Sequence, residues 1–163
     1  MTLYSEVGRG TTVKLYFPTS EGLTGSGLAA SDGGATASMP TGYERILIVE
    51  DEEAVRSSLV TLLGGLGYTV VEAEDGDTAL MVLEREAPVD LILSDVVMPG
   101  NLDGPALARV AKDHYPGIKV LLMTGYMDLR GAKSTNLDAT LDVISKPSDN
   151  AVLAQKIRDV LEK

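Results

Sequence analysis

The sequence predicts an open α/β fold with a parallel sheet and helices on both faces. Three observations point to it. From Tyr43 onward, five short apolar segments alternate with five amphipathic ones. Three of the apolar segments are nearly continuous aliphatic runs, the pattern of parallel strands buried on both sides. Right-handed crossovers between successive parallel strands then distribute the helices over both faces of the sheet.

The first 18 residues stand apart from that pattern. Leu3 to Val7 and Thr12 to Phe17 read as two strands joined by Gly8-Arg9-Gly10, with Val13, Leu15 and Phe17 alternating against Thr12, Lys14 and Tyr16. An isolated two-stranded hairpin is marginal in water, so this appendage reads as the end of something larger. Residues 19–42 are rich in Gly, Ser, Thr and Ala and carry neither the helical nor the strand period, which predicts a flexible linker. A chain of that length reaches roughly 25 to 30 Å and holds a module near its neighbour at an effective concentration on the order of mM.

Beyond the linker, strands are expected at Arg45 to Val49, Thr69 to Ala73, Leu91 to Ser94, Lys119 to Met123 and Asp142 to Ser145. Helices are expected at Glu53 to Gly64, Asp77 to Glu86, Asp103 to Asp113, near Asp128 to Lys133, and at Asp149 to Leu161. The first helix carries Val55, Leu59, Leu62, Leu63 and Leu66 as a stripe for packing on a sheet. Asp103 reads as the N-cap of a helix that opens Gly104-Pro105. Glu52 and Glu53 suit the N-terminus of the first helix through its dipole.

Composition bounds the function. At 163 residues and 44% apolar content, the chain can bury one ordinary core with some length to spare. The absence of cysteine excludes a disulfide scaffold and a thiolate metal site, and no apolar run approaches the roughly 18 residues of a membrane span. The start does not resemble a signal peptide, and the expectation is a soluble, cytoplasmic protein. A formal charge of −10 argues against nucleic acid or an anionic membrane as a direct partner.

Ligands of open α/β sheets sit beyond the carboxyl ends of the strands. Those ends carry Glu50-Asp51, Asp95, Thr124-Gly125 and Lys146-Pro147. Two carboxylates about 4 Å apart repel by about 4 kcal/mol at an effective dielectric of about 20, so three would need a counter-charge. A hard divalent cation answers that need. Mg²⁺ takes octahedral oxygen ligands and keeps several waters, which suits two or three carboxylates around a phosphoryl oxygen.

At this point the sequence resembles a known family. Ile46-Leu47-Ile48-Val49-Glu50-Asp51-Glu52, Asp95 with Met98-Pro99-Gly100, Thr124-Gly125 and Lys146-Pro147 look like the full signature of response-regulator receiver domains, in order and at the family's spacing over residues 44–163. The resemblance implies a flavodoxin-like (βα)5 sheet of strand order 2-1-3-4-5. It implies Asp95 as the phosphorylated residue and Asp51 as a direct metal ligand. Glu50 would be a ligand or water-mediated partner, and the Val97 backbone carbonyl a further metal oxygen. Thr124 would bond the phosphoryl group and Lys146 neutralise it, with Mg²⁺ or Mn²⁺ as the ion. The bond before Pro147 is usually cis in this family. An anionic carboxylate attacks phosphorus without a general base, so the implied reaction is transfer from a phosphohistidine to Asp95.

Ser5-Glu6-Val7-Gly8-Arg9-Gly10-Thr11-Thr12-Val13-Lys14-Leu15-Tyr16-Phe17-Pro18 resembles the closing Gly-x-Gly-Thr segment of the ATP-binding domain of sensor histidine kinases. Together the resemblances imply three segments: residues 1–18 as a kinase remnant, 19–42 as linker and 43–163 as receiver. They describe the C-terminus of a hybrid histidine kinase, whose catalytic core lies outside this sequence. The implied partners are a histidine kinase dimerisation domain or a histidine phosphotransfer protein, met by a monomeric receiver. The parent kinase can be membrane-attached. With no output domain after the last helix, a transcription regulator is not expected.

Some residues favour plainer roles, and some depart from the family. His114, before Tyr115-Pro116 at a helix end, suits a surface or capping role and not a phosphodonor. Many receivers carry an aromatic switch residue three before the lysine, where this chain has Val143, and Ser148 replaces a common aromatic after Lys146-Pro147. Val97 and Tyr126 are expected to shield an acyl phosphate from water. Three rivals differ in class. An Asp-nucleophile phosphatase would want a second Asp where Val97 stands. An FMN binder would want a Ser/Thr-rich loop where Glu50-Asp51-Glu52-Glu53 stands. A pseudo-receiver acting as a docking module would have lost the site.

Overall fold

The computed structural model describes residues 2–6, 8, 10–14, 39–85, 88–125, 140–146 and 148–163. The chain divides into two units, Met1–Thr36 and Ala37–Lys163. In the first, β1 (Thr2–Glu6) and β2 (Gly10–Lys14) pair antiparallel, with Leu3 opposite Val13 and Glu6 opposite Gly10. Gly8 and Gly10 have φ of 81° and 97°, a region open to glycine at no steric cost, so the sharp reversal depends on them. The expected hairpin is present, but its second strand begins at Gly10 because the pairing closes on Glu6. Val7, Leu15 to Phe17 and residues 19–38 of the expected linker lie outside the described residues.

In the second unit β3 (Arg45–Val49), α1 (Glu53–Gly65), β4 (Thr69–Ala73), α2 (Gly76–Arg85), β5 (Leu91–Asp95), α3 (Gly104–His114), β6 (Lys119–Thr124), β7 (Asp142–Ser145) and α4 (Asn150–Leu161) follow one another. Their five strands form one parallel sheet in the order β4-β3-β5-β6-β7. Counted within this unit, that is the expected 2-1-3-4-5. The helix expected near Asp128 to Lys133 lies outside the described residues.

Strand alternation explains the continuous aliphatic runs. Ile46, Ile48, Leu91, Leu93, Leu121 and Met123 belong to one core with Leu59 and Leu63 of α1 and Leu153, Ala154, Ile157 and Val160 of α4. Leu47, Val49, Ile92, Val120 and Leu122 belong to a second core with Ala79 and Leu83 of α2 and Leu107, Ala108 and Ala111 of α3. Successive residues feed opposite cores, so none of the central positions can be polar without loss. Each buried Leu or Ile contributes about 1.5 to 3 kcal/mol. The edge strands β4 and β7 are only partly buried, which is why they tolerate Thr69, Glu72, Asp142 and Ser145.

Local signals start the helices. Asp103 Oδ1 accepts the Ala106 N–H at 2.8 Å, and Asp149 Oδ1 accepts the Ala151 N–H at 2.8 Å. Glu52 stands at the N-cap of α1 but its side chain makes no capping hydrogen bond; Glu53 lies in the first turn, where the dipole favours an anion. Gly42, at the end of the expected linker, donates its N–H to Leu66 O at 3.1 Å. A Cβ there would come within 2.2 Å of the Tyr68 ring.

Candidate functional site at the carboxyl ends of the strands

Three strands of the sheet deliver the acidic cluster and its lysine to one end. Beyond β3 the backbone continues the ladder for one residue, with the Glu50 N–H donating to Ala73 O at 3.2 Å. Glu50 is 2% exposed and Asp51 beside it is exposed. Asp95 is the last residue of β5, anchored as the following Val96 N–H donates to Met123 O at 2.8 Å. Buried Ser94 donates its hydroxyl to Asp95 O at 2.9 Å. The same carbonyl is approached by Gly104, where a Cβ would fall 2.1 Å from it. The start of α3 can pack there only as glycine.

Lys146 closes the cluster from the end of β7. Its N–H donates to Thr124 O at 2.6 Å, and its Nζ donates to Glu50 Oε2 at 2.5 Å and Asp95 Oδ2 at 2.9 Å. One oxygen from each of Glu50, Asp51 and Asp95 lies within 4.8 Å of the others. Thr124 is buried at the end of β6, and its hydroxyl donates to the neighbouring Gly125 O at 3.3 Å. Val97 lies in the bend after β5, 54% exposed between buried Val96 and Met98. Tyr126 and Pro147 lie outside the described residues. His114 uses Nδ1 on Val110 O at 2.9 Å, within its own helix, as its structural assignment requires.

Burial is the first cause of a raised Glu50 pKa, and the negative charges of Asp95 and Asp51 add to it, while Lys146 opposes it. Burial alone would lower Lys146, but its bonds to Glu50 and Asp95 outweigh that and raise it. The two shifts look inconsistent for one ion pair. They follow from unequal surroundings: the ammonium meets two carboxylates, whereas Glu50 meets one ammonium, two like charges and a dry environment. Lys146 stays charged, and the cluster is short of positive charge.

A divalent cation fits this donor set. Asp95 Oδ1 is buried and accepts no hydrogen bond from the described residues, leaving a carboxylate oxygen without a partner. All the candidate donors are oxygens, as a hard cation prefers.

Sequence reasoning missed Arg56. Its Nη1 donates to Glu50 O at 2.7 Å and to Asp51 O at 3.4 Å, and its Nε reaches Glu72 Oε2 at 3.3 Å. The available signal was that Arg56 is the one basic residue between Glu50 and Gly65.

A five-stranded parallel α/β sheet with an acidic crevice and one lysine at its carboxyl ends defines a class, and sequence comparison gives the same class. Residues 46–158 match the response regulator receiver domain family, and the chain belongs to it. It is therefore a receiver domain of two-component systems. It is 37% identical over 164 residues to the sensor kinase CckA of Brucella abortus (strain 2308), an alignment covering 98% of this chain and 17% of that protein. The CAI-1 autoinducer sensor kinase/phosphatase CqsS of Vibrio cholerae is 34% identical over 115 residues, covering 69% of this chain and 17% of that protein. Among solved structures, the receiver domain from the hybrid histidine kinase CckA superposes with a TM-score of 0.59 at 36% identity, covering 72% of this chain and 98% of that one. The chain thus spans 17% of the length of these two sensor kinases.

Proposed function

We propose that this receiver accepts a phosphoryl group from a phosphohistidine on Asp95. The observation that carries the reading is the Lys146 ammonium held 2.9 Å from Asp95 Oδ2, beside an Asp95 Oδ1 that no described residue bonds. In the transfer the Asp95 carboxylate forms an O–P bond as the N–P bond of the donor breaks, and the imidazole leaves with the electron pair and takes up a proton. Lys146 balances the charge on the phosphoryl oxygens, and Thr124 donates its hydroxyl to one of them. Glu50, Asp51, Asp95 and the Val97 carbonyl are the groups that would hold Mg²⁺ or Mn²⁺. When bound, that ion supplies charge neutralisation for the transferring group.

The domain assignment follows the same reading: 1–18 as the end of a kinase ATP-binding domain, 19–42 as tether, 43–163 as receiver. Alignment of 98% of the chain with a sensor kinase, through hairpin and tether as well as receiver, supports a hybrid-kinase origin. The partner is a histidine kinase dimerisation domain or a histidine phosphotransfer protein, met in the cytoplasm by a monomeric receiver that relays or drains phosphate. Incubation with Mg²⁺ and acetyl phosphate, followed by intact mass, tests the chemistry. The wild type should gain one phosphoryl group and Asp95→Asn none. Equal labelling of the two, or none in the wild type, overturns the assignment and favours a docking module.

A further inference from the structure

Resting on that reading, we infer that Arg56 is a positioning residue for the cation site: it fixes the turn that presents Glu50 and Asp51, through their backbone carbonyls. The ladder between β3 and its neighbours ends at Val49 opposite Ala73 and Ser94, so Glu50 O points past the sheet. Arg56 supplies its partner at 2.7 Å and reaches Asp51 O at 3.4 Å. The Arg56 side chain is only 15% exposed, so the guanidinium is committed to this place. It bonds main-chain oxygens and leaves the carboxylate oxygens of Glu50 and Asp51 for other partners. Lys146, by contrast, takes Glu50 Oε2 and Asp95 Oδ2 directly. The crevice therefore holds two cations with separate tasks, one offsetting charge and one setting geometry.

Coulomb's law and geometry predict opposite signs, which makes the division testable. Removing a positive charge near a divalent cation site strengthens cation binding if charge is all that Arg56 supplies. Releasing the turn weakens it, and groups that orient metal ligands typically account for 10- to 100-fold in affinity. Lysine keeps the charge but lacks the planar fork that spans two carbonyls.

The experiment is calorimetric titration of the 163-residue protein with MgCl₂, beside urea unfolding in EDTA. Arg56→Met and Arg56→Lys should each weaken Mg²⁺ binding by about 10-fold. Glu72→Gln, which removes only the outer contact of Arg56, should change it less than about 2-fold by the weakness of exposed pairs. Unchanged or tighter binding in both Arg56 variants overturns the inference. So does full retention of affinity in Arg56→Lys, which assigns the effect to charge. If Arg56→Met is unfolded in EDTA, Arg56→Lys decides alone. Failure of the wild type itself to bind Mg²⁺ overturns the proposed function instead.

Discussion

Lys146 Nζ lies 2.5 Å from Glu50 Oε2, a carboxylate 2% exposed that also stands in a cluster with Asp51 and Asp95. One ammonium therefore serves several anions, and Glu50 is the most deeply buried of them. Glu50→Gln keeps an acceptor for Lys146 and deletes a charge. Without divalent cation it should raise stability at pH 7 by on the order of 1 kcal/mol, the gain expected when a functional site's strain is relieved. The folded pKa of Glu50 is raised, so ionising it costs stability as pH rises above the ordinary value of 4.5. The advantage of Glu50→Gln should therefore be small at pH 4 and full at pH 8. Added MgCl₂ should raise the melting temperature of the wild type more than that of the variant. Thermal melts with and without the ion check both signs.

Gly104 is confined by Asp95. An added Cβ would meet backbone atoms, the Asp95 carbonyl oxygen at 2.1 Å and Val96 Cα at 3.1 Å, and neither can rotate away. Gly104→Ala should cost about 1 to 3 kcal/mol as an overpacking change and slow phosphorylation by acetyl phosphate, because the strand end that carries Asp95 must move. Gly100→Ala is the control. That residue has φ of 108° with open space around its Cβ, so its cost of about 1 kcal/mol is backbone strain alone. Urea unfolding and a phosphorylation time course separate the two.

These residues show where the sequence could be read and where it could not. Ile46–Val49 and Leu91–Asp95 were legible because burial on both faces leaves an unbroken aliphatic run, and the charge that follows marks where the strand ends. Asp103 was legible because a cap, a glycine and a proline stand in sequence. Arg56 was not, because it acts on main-chain carbonyls, which every residue type shares. The clash that makes Gly104 obligatory was hidden as well, since it depends on a strand end nine residues earlier. The hairpin boundary shifted because glycine, usually read as turn, is also able to open a strand when its partner is in register.

At the opposite end of the sheet, Glu44 and Arg158 give a pH dependence of the other sign. Burial alone would raise Glu44, but the 2.7 Å bond from Arg158 and backbone hydrogen bonds hold its carboxyl below the ordinary 4.5. Its contribution is then fully present above pH 4.5 and lost as pH falls through the lower folded value. Both side chains keep some solvent contact, so screening limits the pair to about 0.5 to 1 kcal/mol. The stability difference between wild type and Glu44→Gln should be constant from pH 6 to 8 and close towards pH 3. Urea midpoints across that range measure it, and a difference that widens in acid would contradict the pairing.

The exposure of Val97 bears on how long a phosphoryl group would persist. At 54% exposed, two residues beyond Asp95, its isopropyl group has little to do with the core, whereas Val96 and Met98 on either side are buried. Val97→Asn should therefore leave folding stability within about 0.5 kcal/mol of wild type, as exposed substitutions do. If the apolar side chain keeps water from an acyl phosphate on Asp95, replacing it with a polar group of similar size should shorten the phosphate's lifetime. A 3- to 10-fold change corresponds to about 0.7 to 1.4 kcal/mol in the hydrolysis barrier. Adding Tyr126→Ala should shorten it further. The readout is decay of the phosphorylated mass after the donor is removed. A lifetime in the double variant equal to that of wild type would mean that neither side chain limits access to the bond, and that the hydrolysis rate is set by the charged groups around Asp95.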